Sequence, residues 1–526
     1  MHDISKPEWD SWVGVGRDVL RYVQGLEWRI KELEARLSNA ERLHAEQLAE
    51  RNKVVTTQQR KIRHLTQQLK LAEEKLRASS HNTSKPPSTD PLSKRKPTLR
   101  LKTGKRRGGQ WGHPFAKRKL TPIENVTLVR DHLPERCGKC NMRLNGNDQN
   151  PLRHQIVEIP MAQPQVYEYR LHSLRCECGH ITRARLPEGV TANGYGPGVE
   201  GAVATLASCC RLSHRMIVEV MKDLFGVRMG LGSVTRILRR ASAAVEKPVK
   251  EAKEYVRWYE GSKYVDETGW YQRGADGTNE DERQAWLWVT ASEAATVFDV
   301  ALSRSQKVAK QMLGEVAVGT VITDRYKGYS FIDVERRQLC WAHLYRDFVR
   351  MSERSGEAGR LGRQLKKLAE KLFRLRSQYQ EGKLEENVWE SESFGIRWRM
   401  QGLLERGAGV RVREQERSER TLTKNTCKEM LEVEAAMWLF LKKPEIGITN
   451  NEAERALRHA VLWRRVSFGS QSEAGAETVA KLLSVVMTLK RRGESVHKYL
   501  VEACRASHEG RAAPSLLPTS PSISNP

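Results

Sequence analysis

Three acids far apart in the chain have the type and setting for phosphoryl chemistry. Asp266 ends an apolar strand and is followed by Glu267, and Asp324 comes directly after Val321, Ile322 and Thr323. A carboxylate closing an apolar strand is costly to desolvate unless a cation or hydrogen bonds meet it. The third acid, Glu454, lies in ITNNEAERALRHAVLWRR, which reads as a helix capped by Asn450 or Asn451. Glu454 stands four residues after Asn450 and four before Arg458, so these share a face that Glu452 does not. Two strand-end aspartates and a helical glutamate supply the hard oxygens that hold two Mg2+ or Mn2+ ions. One ion activates water or a 3′-hydroxyl, and the other stabilises the leaving oxygen of an in-line displacement. Single acids are common on surfaces, so the order and setting of the three carry the inference.

Cysteines suggest a second metal. Nine in 526 residues are too few for a disulfide framework, but Cys137-x2-Cys140 and Cys176-x-Cys178-Gly-His180 are spaced like ligands. With β-rich segments between them, the two knuckles read as a zinc ribbon in which four thiolates hold one structural Zn2+. His180 is an alternative to one of the cysteines. His343, in CWAHLYRDF, follows an apolar strand; it reads first as a satisfied structural histidine and second as a group that orients a ligand or phosphate.

The acids need a scaffold. KYVDETGWYQ, QAWLWVTAS and ATVFDVALS alternate like three successive strands, followed by a helix at QKVAKQMLGEV and a buried strand at GTVITDR. Three strands, a helix and a fourth strand open a ribonuclease H-like fold. Between the second and third acids, Leu361, Leu365, Leu368, Leu372 and Leu375 repeat at four and three, which predicts a helical insertion. It would either grip DNA or cover the sheet. The core therefore divides into 258–348 and 446–506, around an insertion over 349–445.

Upstream, Leu26, Leu33 and Ala40, then Leu48, Val55, Ile62, Leu69 and Leu76, recur every seven residues. This predicts a coiled-coil dimerisation helix within 1–78. Residues 79–120 are rich in Ser, Pro, Gly and basic side chains and read as a flexible basic linker, in which Lys105, Arg106 and Arg107 would hold phosphates. The ribbon occupies 121–190. Over 195–250, RLSHRMIVEVMKDLFGVRMGLGSVTRILRRA reads as helix-turn-helix. In that reading Met216, Val220 and Leu224 form an apolar face, Gly226 ends the first helix, Ser233 caps the second, and Arg236, Arg239 and Arg240 line it. Residues 507–526 read as a disordered tail.

Charge agrees with a nucleic-acid partner. The chain carries 90 Lys plus Arg against 64 Asp plus Glu, a net of +26. Between Lys85 and Lys119 twelve basic residues face one acid, so over two fifths of the excess sits in that window. No stretch approaches a membrane span, and the cysteine usage suits a reducing cytosol.

In these motifs the chain resembles the DDE transposases of the bacterial insertion-sequence-66 family. The resemblance runs from about residue 30 to 495, through NTSKPPSTD, GGQWGHP, the Cys-x2-Cys knuckle, VDETGW, TDRYKGY, CWAHLYRDF and NNEAERALR in that order. It implies a cytoplasmic, nucleoid-associated enzyme that binds the terminal inverted repeats of its own element. Such an enzyme cuts the strands and joins the freed 3′ ends to target DNA, with Asp266, Asp324 and Glu454 as metal-binding acids. Accessory proteins from the same element would be possible partners. The chain departs from the family in its Cys176-x-Cys178 knuckle, where Cys-x2-Cys is usual, and in WRRVSFGS, where Arg-Lys-Asn is common. Arg464 and Arg465 keep the charge for phosphate contact. The expectation is a multidomain α/β enzyme; the alternative is a transposase-derived DNA-binding protein without strand transfer.

Overall fold

The computed structural model describes residues 17–77, 119–161, 163–411 and 419–518. Most of the expected basic linker, with Lys105, Arg106 and Arg107, falls outside these residues. Among them lie fifteen α-helices and two sheets, a mixed α/β architecture. The chain divides into two units, one holding the first helix and the other holding everything from residue 119 onward.

The first unit is α1 (Arg17–Arg77), one unbroken helix of 61 residues, as the absence of proline allows. Leu26, Leu33, Leu48, Val55, Ile62 and Leu69 are all exposed along it.

In the second unit, β1 (Ser173–Arg175) and β2 (Ile181–Arg183) form a small hairpin. Helices α2 (Pro197–Ser208), α3 (His214–Phe225), α4 (Leu231–Ala244) and α5 (Glu246–Trp258) follow. Next come β3 (Ser262–Trp270), β4 (Ala285–Ala291), β5 (Thr296–Ala301), α6 (Gln306–Leu313), β6 (Thr320–Thr323) and β7 (Arg337–Leu339). These strands make a sheet in the order β5-β4-β3-β6-β7. The meander β3-β4-β5 is antiparallel, and β6 and β7 add in parallel. Returning loops over 271–284 and 292–295 join the three antiparallel strands, whereas the parallel additions need crossovers, of which α6 is the first.

The insertion is helical: α7 (Trp341–Ser352), α8 (Gly356–Gln380), α9 (Glu386–Ala408), α10 (Glu419–Glu432) and the single turns α11 (Glu434–Met437) and α12 (Leu439–Lys442). It has its own core, in which Leu361, Leu365 and Leu372 are buried and Leu368 and Leu375 pack beside them. The chain ends with α13 (Asn451–Ser467), α14 (Glu473–Arg491) and α15 (Val496–His508).

Alternation assigns the two faces of the sheet. Trp270, Leu287, Val289 and Phe298 pack with α13 and α14, in a core that also takes residues of α2, α4, α5 and α15. Val265, Trp288 and Val321 pack with Ala309 and Leu313 of α6 and with Tyr329. The helices expected as a separate unit over 195–250 therefore share one core with the sheet.

Several local expectations need correction. Gly226 does end α3 at φ 67°, where Val227 N bonds Met221 O at 2.9 Å. Ser233, however, lies inside α4, which starts from Gly230; the serine cap is Ser213, which accepts from Met216 N. On α3 the buried pair is Ile217 and Met221, whereas Met216 and Leu224 are exposed. Both sets have helical spacing, and only packing against neighbouring helices selects one. Of the tail expected to be disordered over 507–526, residues 519–526 lie outside the described residues, and 507–518 instead finish α15 and fold back: Leu516 is fully buried, and Tyr499 donates to Pro514 O at 2.7 Å. Its few leucines supply the apolar anchor that the overall composition obscures.

His459 of α13 ties that helix to the end of α2. Its Nε2 donates to Ser208 O at 2.8 Å, and its Nδ1 accepts from Arg211 at 2.8 Å. Burial lowers its pKa to about 4, so the folded protein holds it neutral while the unfolded chain protonates near 6.5. Below pH 6.5 the unfolded state binds the extra proton, and stability falls as pH drops toward 4, by at most about 1.4 kcal/mol per pH unit. Denaturant titrations across that range should give a shallower slope for His459→Gln than for the parent.

Candidate active site

Asp266 sits inside β3, on the side of the sheet that packs with α13, two residues from Tyr264 and four from Trp270. In the parallel pair Tyr264 is opposite Ile322, so counting two residues along each strand sets Asp266 beside Asp324 at the end of β6. Glu267 points to the other face.

Glu454 arrives on the first turn of α13. Asn450 caps this helix through its backbone, with Glu454 N donating to Asn450 O at 3.0 Å. The Asn450 side chain does something the sequence did not suggest: fully buried, it donates to Val265 O at 2.7 Å and pins the start of α13 to β3 one residue before Asp266.

The electrostatics follow from this convergence. Burial raises the pKa of Asp266 well above the usual carboxylate value, and the charges of Glu267, Asp324 and Glu454 raise it further. Glu454 Oε1 is buried without a hydrogen-bond partner, and its nearest cation is Arg346 at 3.6 Å. Four acids thus share a region in which Arg304 is the main internal counter-charge. Arg304 pairs with Glu267 at 2.5 Å, stands 3.9 Å from Asp324 and stacks on Tyr326 at 3.9 Å and Trp286 at 4.9 Å. Tyr329 also donates to Glu267.

The turn carrying Asp324 is fixed from below and from the side. Buried Arg337 donates to Thr323 Oγ1 at 3.0 Å and to Asp324 O at 2.9 Å. Arg325 pairs with Asp347 of α7 at 3.0 Å and with Glu429 of α10, joining the turn to the insertion. Nothing in the spacing of Arg304 or Arg337 marks them in advance, and Asn450 is marked only as a cap, because each acts through a fold contact distant in sequence.

His343 is not the satisfied structural histidine its setting suggested. Its Nδ1 is buried without a partner, 3.7 Å from Glu454 Oε1, and burial followed by Arg346 lowers its pKa. Among the described residues, one set of three or more metal-ligating side chains has its ligand atoms within 4.8 Å of one another: Cys340, His343 and Glu454. Asp266, Asp324 and Glu454 as a set lie wider than this.

The cysteine pairs form two similar turns. Cys137 N donates to Met142 O at 2.9 Å, and Cys176 N donates to His180 O at 2.8 Å. In each turn, neighbouring amides face the leading sulfur and lower its pKa: those of Cys140 and Lys139 at Cys137, and that of Cys178 foremost at Cys176. Cys140 and Cys178 complete the pairs as free thiols, and no three of the four sulfurs meet within 4.8 Å.

Of the basic candidates, Arg240 is committed internally, paired at 2.6 Å with buried Glu200, whereas Arg236 and Arg239 are exposed on α4. Arg464 reaches Thr268 Oγ1 on β3 at 3.5 Å, and Arg458 and Arg465 lie exposed on α13.

No curated protein was found to match the chain. A family model described as a family of unknown function matches residues 29–119. The model described as Transposase IS66 family matches residues 204–478, from α2 through the sheet and insertion into α14. On that match, which spans more than half of its length, the chain belongs to the IS66 family of transposases.

Proposed function

We propose that this DNA-processing enzyme is a DDE transposase that cleaves strands and joins 3′ ends on a ribonuclease H-like core. The observation that carries the reading is the crowding of Asp266 by Asp324 and Glu454, which brings together three acids from β3, β6 and α13. The strand order, an antiparallel meander extended by parallel strands, supports the fold assignment.

The residues fit divalent cations. Their donors are hard carboxylate oxygens, they repel one another in a partly buried setting, and one oxygen of Glu454 is without a partner. Asp266, Asp324 and Glu454 would hold two Mg2+ or Mn2+ ions, which when bound activate the attacking oxygen and stabilise the leaving one. The chain's own residues do the rest. Arg304 pairs with Glu267 on the face of the sheet away from Asp266, Arg337 holds the Asp324 turn, and Asn450 fixes the height of Glu454 against β3. Arg458, Arg464 and Arg465 would bind backbone phosphates along α13, with Arg236 and Arg239 on α4 and Lys105, Arg106 and Arg107 adding contacts to double-stranded DNA.

With DNA carrying the element's ends, Asp266→Asn, Asp324→Asn and Glu454→Gln should each lower Mg2+-dependent cleavage by roughly 10²-fold or more. Glu452→Gln, whose carboxylate pairs instead with Arg455 at 2.9 Å, should cleave like the parent. Undiminished cutting by the aspartate variants would place catalysis elsewhere. Specific binding without cleavage under any divalent metal would favour a DNA-binding protein lacking strand transfer.

Two assembly features belong to this reading. The exposed seam of α1 would pair with a second copy to form a homodimer, since an apolar stripe this long is stable when buried against its like. Light scattering at micromolar concentration should give a dimer mass for the full chain and a monomer mass for Ile62→Asp/Leu69→Asp. The knuckles would hold one structural Zn2+ through Cys137, Cys140, Cys176 and either Cys178 or His180. Metal analysis should show Cys137→Ser to lose one equivalent of zinc per chain relative to the parent, and an unchanged content would remove this site.

A further inference from the structure

The start of α7 carries two donors that the carboxylate chemistry does not use, Cys340 and His343, beside Glu454, which it does. Cys340, at its N-cap, is fully buried, and the amides of Ala342, His343 and Asn450 face its sulfur, the last at 3.1 Å. Three donors at the positive end of a helix dipole suit a thiolate. A donor pocket suited to an anion therefore surrounds the Cys340 sulfur.

The neighbours are equally incomplete. His343 Nδ1 and Glu454 Oε1 are each buried without a hydrogen-bond partner, although they face each other at 3.7 Å. That is too long for a hydrogen bond. It is close to the separation of about 3.4 Å that two ligands take around a shared tetrahedral cation at metal–ligand distances near 2.1 Å. The cysteine sulfur lies within 4.8 Å of both.

We propose that Cys340, His343 and Glu454 form a binding site for a thiophilic divalent cation, with Zn2+ the ion its sulfur, nitrogen and oxygen donors select. Magnesium is a poor fit, because thiolate and imidazole are soft or borderline ligands. On binding, Cys340 releases its proton to solvent and its sulfur bonds the metal. His343 binds as neutral imidazole through Nδ1, and Glu454 contributes Oε1. Three protein ligands leave a fourth position for water. Because Cys340 and His343 belong to α7 and Glu454 to α13, the ion would fasten the start of the insertion to the helix that carries the third acid.

The site does not rest on the strand-cleavage reading and is tested without DNA. Co2+ alone is titrated into the full-length parent, Cys340→Ser and His343→Asn proteins, and the thiolate-to-cobalt charge-transfer absorption is followed in the near ultraviolet. Any signal from the knuckle cysteines is common to all three and cancels in the differences. The expected result is a parent spectrum that exceeds both variants by the same one-thiolate increment. Serine is nearly isosteric with cysteine and accepts from the same amides, and His343→Asn provides a second variant that leaves the buried sulfur in place. Superimposable spectra, or an increment that survives either substitution, would overturn the proposal.

Discussion

The crowding of like charge around Asp266 is the constraint on which the rest of this structure turns. A carboxylate on an interior strand loses hydration, and neighbouring carboxylates make its ionisation harder still. The fold tolerates this by dividing the acids between the faces of one sheet. Glu267 is withdrawn to the α6 side, where Arg304 and Tyr329 neutralise it, which leaves Asp266, Asp324 and Glu454 on the side of α13. The incomplete compensation of these three is what the proposed cations would offset.

Convergence of residues so far apart in sequence depends on buried polar anchors more than on the carboxylates themselves. The acids repel one another, so their proximity must be enforced from outside. Asn450 bonds β3, Arg337 clamps the β6 turn, and His459 holds α13 against the end of α2. Each anchor is a buried donor with a geometric partner, and a lost partner would leave a desolvated polar group at a cost of about 1–3 kcal/mol. The large shared core of α2, α4, α5, the sheet and α13–α15 provides the rigidity against which these anchors act.

What could be read in the sequence was what is local and periodic. The strands, the helical insertion, the length of α1 and the left-handed glycine ending α3 follow from alternation, from the leucine spacing and from Gly226. The residues hardest to read depend on distant partners. Arg240 resembles a DNA contact until Glu200 is found beneath it, and His343 resembles a core histidine until its bare nitrogen is found facing Glu454. On α3 two apolar sets had equal spacing, and the choice between them was made by α2 and α4 rather than by the helix itself. The packed tail went unread because Leu516 and Leu517 are a minority in a polar stretch.

The insertion between the second and third acids shows how the chain can leave the sheet for about a hundred residues without displacing Glu454. It departs after β7 and returns before α13 at nearly the same point. Trp341 N bonds Ile448 O at 2.9 Å, and the Gln338 side chain both donates to Met437 O and accepts from Phe440 N at 2.9 Å. With departure and return stapled together, the loop-closure entropy of the insertion is met within its own core of aromatic and leucine side chains. Among the described residues, the acids meet the insertion through Arg325 to Asp347 and Glu429 and through the start of α7. Those contacts couple the insertion mechanically to the Asp324 turn.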